Sequence, residues 1–176
     1  LAMQWQSHAF TPEQKARNVD YYERRTTRDS SLSACTQAVM CAEVGHLGLA
    51  HDYAYEAAVI DLKDLHQNTK DGLHMASLAG GWTALVAGFG GLRDDGGLLS
   101  LDPHLPDGIT RLRFRIRWRG LRLIVSVDHE RTTYTLRDGP HGRLTLRHAG
   151  ERVEVTVDAP VTRPIRPRVP LLPTPE

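Results

Sequence analysis

At 176 residues, with 40% apolar and 24% charged side chains, the chain has the composition of an ordinary globular protein of one good-sized domain or two small ones. The 22 basic and 21 acidic residues leave a formal charge of +1, so no global field recruits nucleic acid or an anionic membrane. No run of about 18 apolar residues occurs, which predicts no membrane contact, and Cys35 and Cys41 show no metal-ligand spacing, which predicts a reduced, cytoplasmic setting. The chain begins at Leu1, and LAMQWQSHAF carries neither a cap nor a secretory signal, so a piece of a longer polypeptide is expected.

Residues 1–97 read in helical periods. Thr11-Pro12-Glu13-Gln14 is a helix start, with Thr as N-cap, Pro where its missing N–H costs nothing, and Gln placed to close a capping box. That helix is expected to reach Tyr22. A second runs from Ser33 through Val44 and ends at Gly45 as a left-handed C-cap, and a third covers Leu47 to Lys63. The fourth, from Gly72 to Phe89, is nearly bare on one flank, with Ala76, Ala79, Gly80, Gly81 and Ala84. Glycine inside a helix costs about 1 kcal/mol relative to alanine, so the pair needs a reason: close packing on a neighbouring helix, or a ligand pressed against backbone. Short loops between such segments predict antiparallel helical hairpins.

Residues 98–160 read in period two. In RLRFRIRWR, Leu112, Phe114, Ile116 and Trp118 share one face and Arg111, Arg113, Arg115, Arg117 and Arg119 the other. LRLIVSV, TTYTLR, RLTLR and RVEVTV follow, punctuated by turn residues that include Asp138-Gly139-Pro140, so an antiparallel sheet or sandwich is expected. Phe114 and Trp118 should face the core, and the arginines need no ligand on a solvent face; no nucleic-acid partner is expected. Residues 161–176 are proline-rich and should form an extended, poorly ordered tail.

Two segments have the chemistry of an anion site. Arg28-Asp29-Ser30-Ser31-Leu32-Ser33 stands at the mouth of the second helix, and Asp71-Gly72-Leu73-His74-Met75-Ala76-Ser77 at the mouth of the fourth. Helix N-termini present unpaired N–H groups and partial positive charge, to which serine hydroxyls, His and Arg add donors. Simple N-capping by Ser30 or Ser31, and a His74 bonded to a nearby carbonyl, are the plainer readings. Asp61 and Asp64 share a helix face, but nothing marks either as a buried acid, and Asp94-Asp95 reads as turn chemistry.

YYERRTTRDSSLSACTQAV followed by AEVGHLGLAHDYAYEAAVIDLKDLHQNTKDGLHMASLAGGWTALVAGFGGLRDDGGLLSLDPHLP resembles the C-terminal portion of glycoside hydrolase family 65, in its actinobacterial-type members. The resemblance covers residues 9 to 125. It implies an α+β chain: residues 1–97 as the last helices of an (α/α)6 catalytic barrel, then residues 98–160 as a C-terminal antiparallel β-sheet or sandwich domain. It implies an inverting phosphorylase or hydrolase of disaccharides such as maltose, trehalose or kojibiose, with inorganic phosphate as co-substrate and no other cofactor or metal. The general acid, a glutamate, would lie upstream, so this chain alone would hold no catalytic residue and be inactive.

Phosphate binding is carried onto Ser30, Ser31 and His74, with Ser77, Gly80 and Arg28 as weaker candidates. Arg28 departs from the pattern, since many members carry His there; it is either an added phosphate ligand or an outward-facing substitution. The implied partners are the disaccharide, phosphate and the upstream part of the same polypeptide, with a homodimer compatible with the full-length enzyme. The alternative is a noncatalytic structural or carbohydrate-binding module, which requires aromatics exposed on one sheet face. Helices cut from a barrel should also leave an apolar patch on the helical half, including the faces bearing Val39, Val59 and Leu85.

Overall fold

The computed structural model describes residues 1–137, 142–157 and 159–175, apart from the side chain of Asp95. The expected Asp138-Gly139-Pro140 turn lies outside them. Two compact units result, residues 1–89 with 168–175 and residues 90–167.

The helical unit opens with a single turn, α1 (Ala2–Trp5), and a 3-10 turn at Ser7–Ala9. Helix α2 (Pro12–Glu23) starts as its sequence predicts: the Gln14 N–H donates to Thr11 Oγ1 (3.2 Å) and the Thr11 N–H to Gln14 Oε1 (2.9 Å). Such a cap contributes about 1 kcal/mol. Helix α3 (Ser33–Val44) buries eight of its residues, Ala34, Cys35, Ala38, Val39, Met40, Cys41, Ala42 and Val44, as a helix surrounded by others must. It ends at Gly45, whose φ of +94° is the left-handed conformation that glycine adopts without penalty. Its Cys41 thiol is pushed up to about 12 by burial and then by Glu23, so it is inert at neutral pH.

Helix α4 spans Leu47–Val59, shorter than the expected 47–63, because the chain turns at residues 60–65, where Asp64 takes φ +47° and accepts from the Thr69 N–H (3.0 Å) and hydroxyl (2.6 Å). Helix α5 spans Met75–Thr83 and continues as a wider turn over Ala84–Phe89. It begins after Gly72 rather than at it, since that residue's φ of +133° is not helical.

Only part of the bare flank of α5 is a packing surface: Gly80 and Ala84 are buried, whereas Ala76 and Ala79 are exposed. Gly88 lies 3.5 Å from the Val39 Cα, measured from the position of a Cβ, and Val39 is fully buried there. The expected exposure of the Val39 face is therefore corrected: neighbouring helices of this unit cover it. Leu85 is exposed, as expected, and Val59 is half-buried. Met75, Leu78, Trp82 and Leu85, at three- and four-residue intervals on α5, form an exposed apolar stripe.

His46, at the start of α4, is 4% exposed, and its Nδ1 lies 3.4 Å from Thr174 Oγ1. Burial lowers its pKa below the usual 6.5, against a smaller opposite pull from Asp20 and Glu23. The unfolded chain then takes up the proton more readily than the folded one, so this contribution to stability is present above pH 6.5 and is lost as pH falls through the lowered value. The urea midpoint should fall between pH 7.5 and pH 5, and His46→Gln should flatten that dependence; an equally steep profile in the variant would exclude His46 as its source.

The second unit is a β-sandwich. Among the described residues its strands are β1 (Arg93–Asp95), β2 (Leu98–Leu101), β3 (Leu112–Trp118), β4 (Leu121–Val127), β5 (Arg131–Leu136), β6 (Arg143–His148), β7 (Glu151–Thr156) and β8 (Val161–Pro164). They form sheets of order β1-β2-β6-β7 and β3-β4-β5-β8. All pairs are antiparallel except β2 with β6, where β2 is rejoined only after the chain has built β3, β4 and β5 of the other sheet. Leu99, Leu101, Leu146 and Val153 of one sheet and Leu123, Val125, Tyr134 and Leu136 of the other fill the core. Phe114 is buried as expected, while Trp118 is half-buried beside the Arg119 guanidinium, 5.5 Å from the ring centroid. Neither is the open aromatic face that a carbohydrate-binding module would need.

The sequence division after residue 97 falls after Phe89 in the structure, because β1 and β2 already belong to the sandwich. The expected tail is not free either over its described residues, 161–175. Strand β8 pairs with β5 at the sheet edge, where proline is tolerated. His148 donates from Nε2 to the Pro164 carbonyl (3.0 Å), which leaves Nδ1 to accept from the Tyr134 hydroxyl (2.7 Å). Beyond it, Arg168 donates to the carbonyls of Ala42 (3.3 Å) and Glu43 (2.9 Å), satisfying the open end of α3.

Candidate functional site

The turn before α3 and the start of α5 carry the predicted residues. Ser30 is exposed, and its Oγ accepts from the Leu32 N–H (3.3 Å) while its carbonyl accepts from the Ser33 N–H (2.9 Å). It closes the turn before α3 but does not N-cap the helix: the N-cap is Leu32, without a side-chain cap hydrogen bond, so the expected N-capping by Ser30 or Ser31 is corrected. Ser31 is half-buried. A cavity of about 640 Å³ opens beside this turn, with Ser30, Ser33, Glu23 and Gln37 among its walls.

His74 is held by an acid that sequence reasoning passed over. Asp61, with a side chain only 6% exposed, accepts from the His74 backbone N–H through Oδ2 (2.9 Å) and faces its Nδ1 through Oδ1 (2.6 Å). An ionised carboxylate can only accept, so Nδ1 carries a proton and Nε2 is left for another partner. Among the described residues no hydrogen bond reaches Nε2; the His66 ring stands edge-on to His74, with centroids 5.5 Å apart. The bidentate Asp61 contact fixes both the ring and the backbone at the mouth of α5, which is how an imidazole is aimed at a ligand.

Ser77 and Gly80 are accounted for by packing. Ser77 is fully buried, and its hydroxyl donates to the Ala57 carbonyl (3.3 Å) on α4. A Cβ on Gly80 would meet Cys35 Sγ at 2.5 Å and its Cβ at 2.6 Å. The missing side chain thus lets α5 lie directly on the first turns of α3, and the space beside Gly80 that was offered to a ligand is filled by Cys35.

Arg28 takes φ +62°, and its guanidinium pairs with Glu23 Oε1 (3.3 Å) and lies 4.8 Å from the centroid of the Tyr53 ring. Glu23, the last residue of α2, also accepts from Gln37 Nε2 (2.8 Å) and from the Tyr53 hydroxyl. This hub was not foreseen; its only local signal is an acid ending an amphipathic helix. Among the described residues no hydrogen bond joins Ser30, Ser31 or Arg28 to His74, and no group of three acid, His or Cys side chains has metal-binding geometry.

Residues 1–83 match the family model of the glycosyl hydrolase family 65 central catalytic domain, and residues 92–155 that of the family's C-terminal domain. An uncharacterized glycosyl hydrolase of Mycobacterium leprae is 77% identical over 175 residues, 99% of this chain and 22% of the relative. The alpha,alpha-trehalose phosphorylase of Geobacillus stearothermophilus is 44% identical over 141 residues, 80% of this chain and 18% of that protein. A solved structure assigned as a kojibiose phosphorylase from the human microbiome superposes with a TM-score of 0.84 at 28% identity, over 92% of this chain and 22% of that one. The chain thus spans about a fifth of the length of the relatives it matches.

Proposed function

Because the chain belongs to glycosyl hydrolase family 65, we propose that the Ser30–Ser31 turn and His74 hold the inorganic phosphate of an inverting disaccharide phosphorylase whose remaining barrel lies upstream. The observation that carries this reading is His74 itself: an imidazole locked through Nδ1 and its own backbone N–H by buried Asp61, with Nε2 unengaged at a helix mouth. Serine hydroxyls at the mouth of α3 supply further donors in the same helical unit.

In the reaction, a phosphate oxygen attacks the anomeric carbon from the face opposite the scissile bond. The bond from that carbon to the bridging oxygen breaks, and an upstream carboxylic acid gives its proton to the departing oxygen. The site residues here orient and retain the phosphate; they move no proton on the sugar. Ser77 and Gly80 serve by holding α5 against α4 and α3, and Arg28 by its place in the turn. Trehalose, kojibiose and maltose are the candidate substrates, after the phosphorylases similar to this chain.

The test is product analysis with the full-length polypeptide and with the 176-residue chain. The full-length protein should release glucose 1-phosphate from one of these disaccharides only when phosphate is present, and the chain alone should give no turnover. Sugar release at an undiminished rate without phosphate would make water the nucleophile, and turnover by the chain alone would contradict an upstream acid.

A further inference from the structure

Glu23 is an unusual carboxylate. Its side chain is 7% exposed, and burying a charge is costly unless donors surround it. Three do, each from a different segment: Gln37 Nε2 on α3, the Tyr53 hydroxyl on α4 and Arg28 Nη2 in the turn between α2 and α3. Burial, and then Glu23, push the Tyr53 phenol well above its usual range, so its hydroxyl remains a donor.

Arg28 is unusual in backbone. A φ of +62° is unfavourable for any residue with a Cβ and persists only where surrounding contacts impose it. The contacts its guanidinium makes are with the Glu23 carboxylate and the Tyr53 ring face. Asp29, Ser30 and Ser31 follow immediately, so the position of the serines is set by Arg28 on one side and by α3 on the other.

We propose that Glu23 is a positioning residue: by capturing Arg28 against Tyr53 it fixes the Arg28–Ser31 turn, so that Arg28 supports the phosphate site from behind and is not itself a phosphate ligand. The proposal rests on the phosphate reading above for its functional consequence, but the clamp has a readout of its own.

Hydrogen–deuterium exchange of residues 26–32 and phosphate kinetics would be measured together on the full-length enzyme carrying Glu23→Gln, Arg28→Ala, Arg28→Lys and the Glu23→Gln/Arg28→Ala pair. Glu23→Gln and Arg28→Ala should each speed exchange in this segment. Each should also raise the KM for phosphate about tenfold, the scale of one charge-assisted hydrogen bond, while kcat at saturating phosphate falls by less than about threefold. The double variant should be no worse than the worse single one, and Arg28→Lys should restore part of the protection.

Unchanged exchange in Arg28→Ala with a raised KM would make Arg28 a direct ligand and overturn the proposal, as would additive effects in the double variant. Should Glu23→Gln fail to fold, Arg28→Ala, at an exposed side chain, still decides the matter. Faster exchange in an enzyme whose turnover ignores phosphate would support the clamp and overturn the phosphate reading alone.

Discussion

Replacing His74 by Ala in the full-length enzyme should raise the KM for phosphate by about 10- to 100-fold, the range expected when one hydrogen bond to a charged group is lost. The KM for the disaccharide should change little, because Nε2 is the nitrogen left over after Asp61 has taken Nδ1. Asp61→Asn should cost about tenfold in the same direction. The amide can still accept from the His74 backbone N–H, but it loses the acceptor charge that sets the tautomer. Steady-state kinetics with phosphate varied at fixed disaccharide reads both. An unchanged phosphate KM in His74→Ala would remove His74 from the site, and a normal Asp61→Asn enzyme would show that the ring needs no orienting acid.

Gly80→Ala should be the most disruptive small substitution in the helical unit. The new methyl would stand 2.5 Å from Cys35 Sγ and 2.6 Å from its Cβ, distances that force α3 and α5 apart. Overpacking of this kind costs about 1–3 kcal/mol, which outweighs the roughly 1 kcal/mol that alanine offers over glycine in a helix. Cys35→Gly in the same chain removes both opposing atoms and should recover part of the loss, so the double variant should unfold at a higher temperature than Gly80→Ala alone. If Gly80 instead matters because a ligand approaches its backbone, Cys35→Gly should restore neither stability nor phosphate affinity. Thermal unfolding and phosphate KM on the three variants separate these accounts.

The contrast between Gly80 and His74 shows what the sequence could carry. Local grammar was sufficient for the Thr11 capping box, the Gly45 cap and the alternation of β3, because each depends on residues within a turn or two of one another. Family resemblance supplied the barrel helices, the sandwich and the site segments. The packing at Gly80 was one of two open readings, and only the position of Cys35 chooses between them.

Asp61 and Glu23 were not legible for a physical reason. Asp61 lies in the turn after α4 and meets His74 13 residues later only because the intervening chain doubles back. Glu23 is buried by Gln37 and Tyr53, 14 and 30 residues away, so no window of sequence contains its environment. The parallel pairing of β2 with β6 and the return of residues 168–175 to α3 are likewise long-range events. The arginine face of β3 kept the solvent-facing reading, but with a detail the pattern did not hold: Ile124, paired with Arg115 across the sheet, is only 7% exposed.

The exposed stripe of Met75, Leu78, Trp82 and Leu85 agrees with a chain that spans about a fifth of its relatives, since the rest of a barrel would have this face to cover. The phosphate assignment can be judged most directly in the complete protein. A crystal structure of the full-length enzyme with bound phosphate should place phosphate oxygens about 3 Å from His74 Nε2 and from the Ser30 or Ser31 donors, with Arg28 still on Glu23. Phosphate bound in the barrel without touching His74 or this turn would contradict the account.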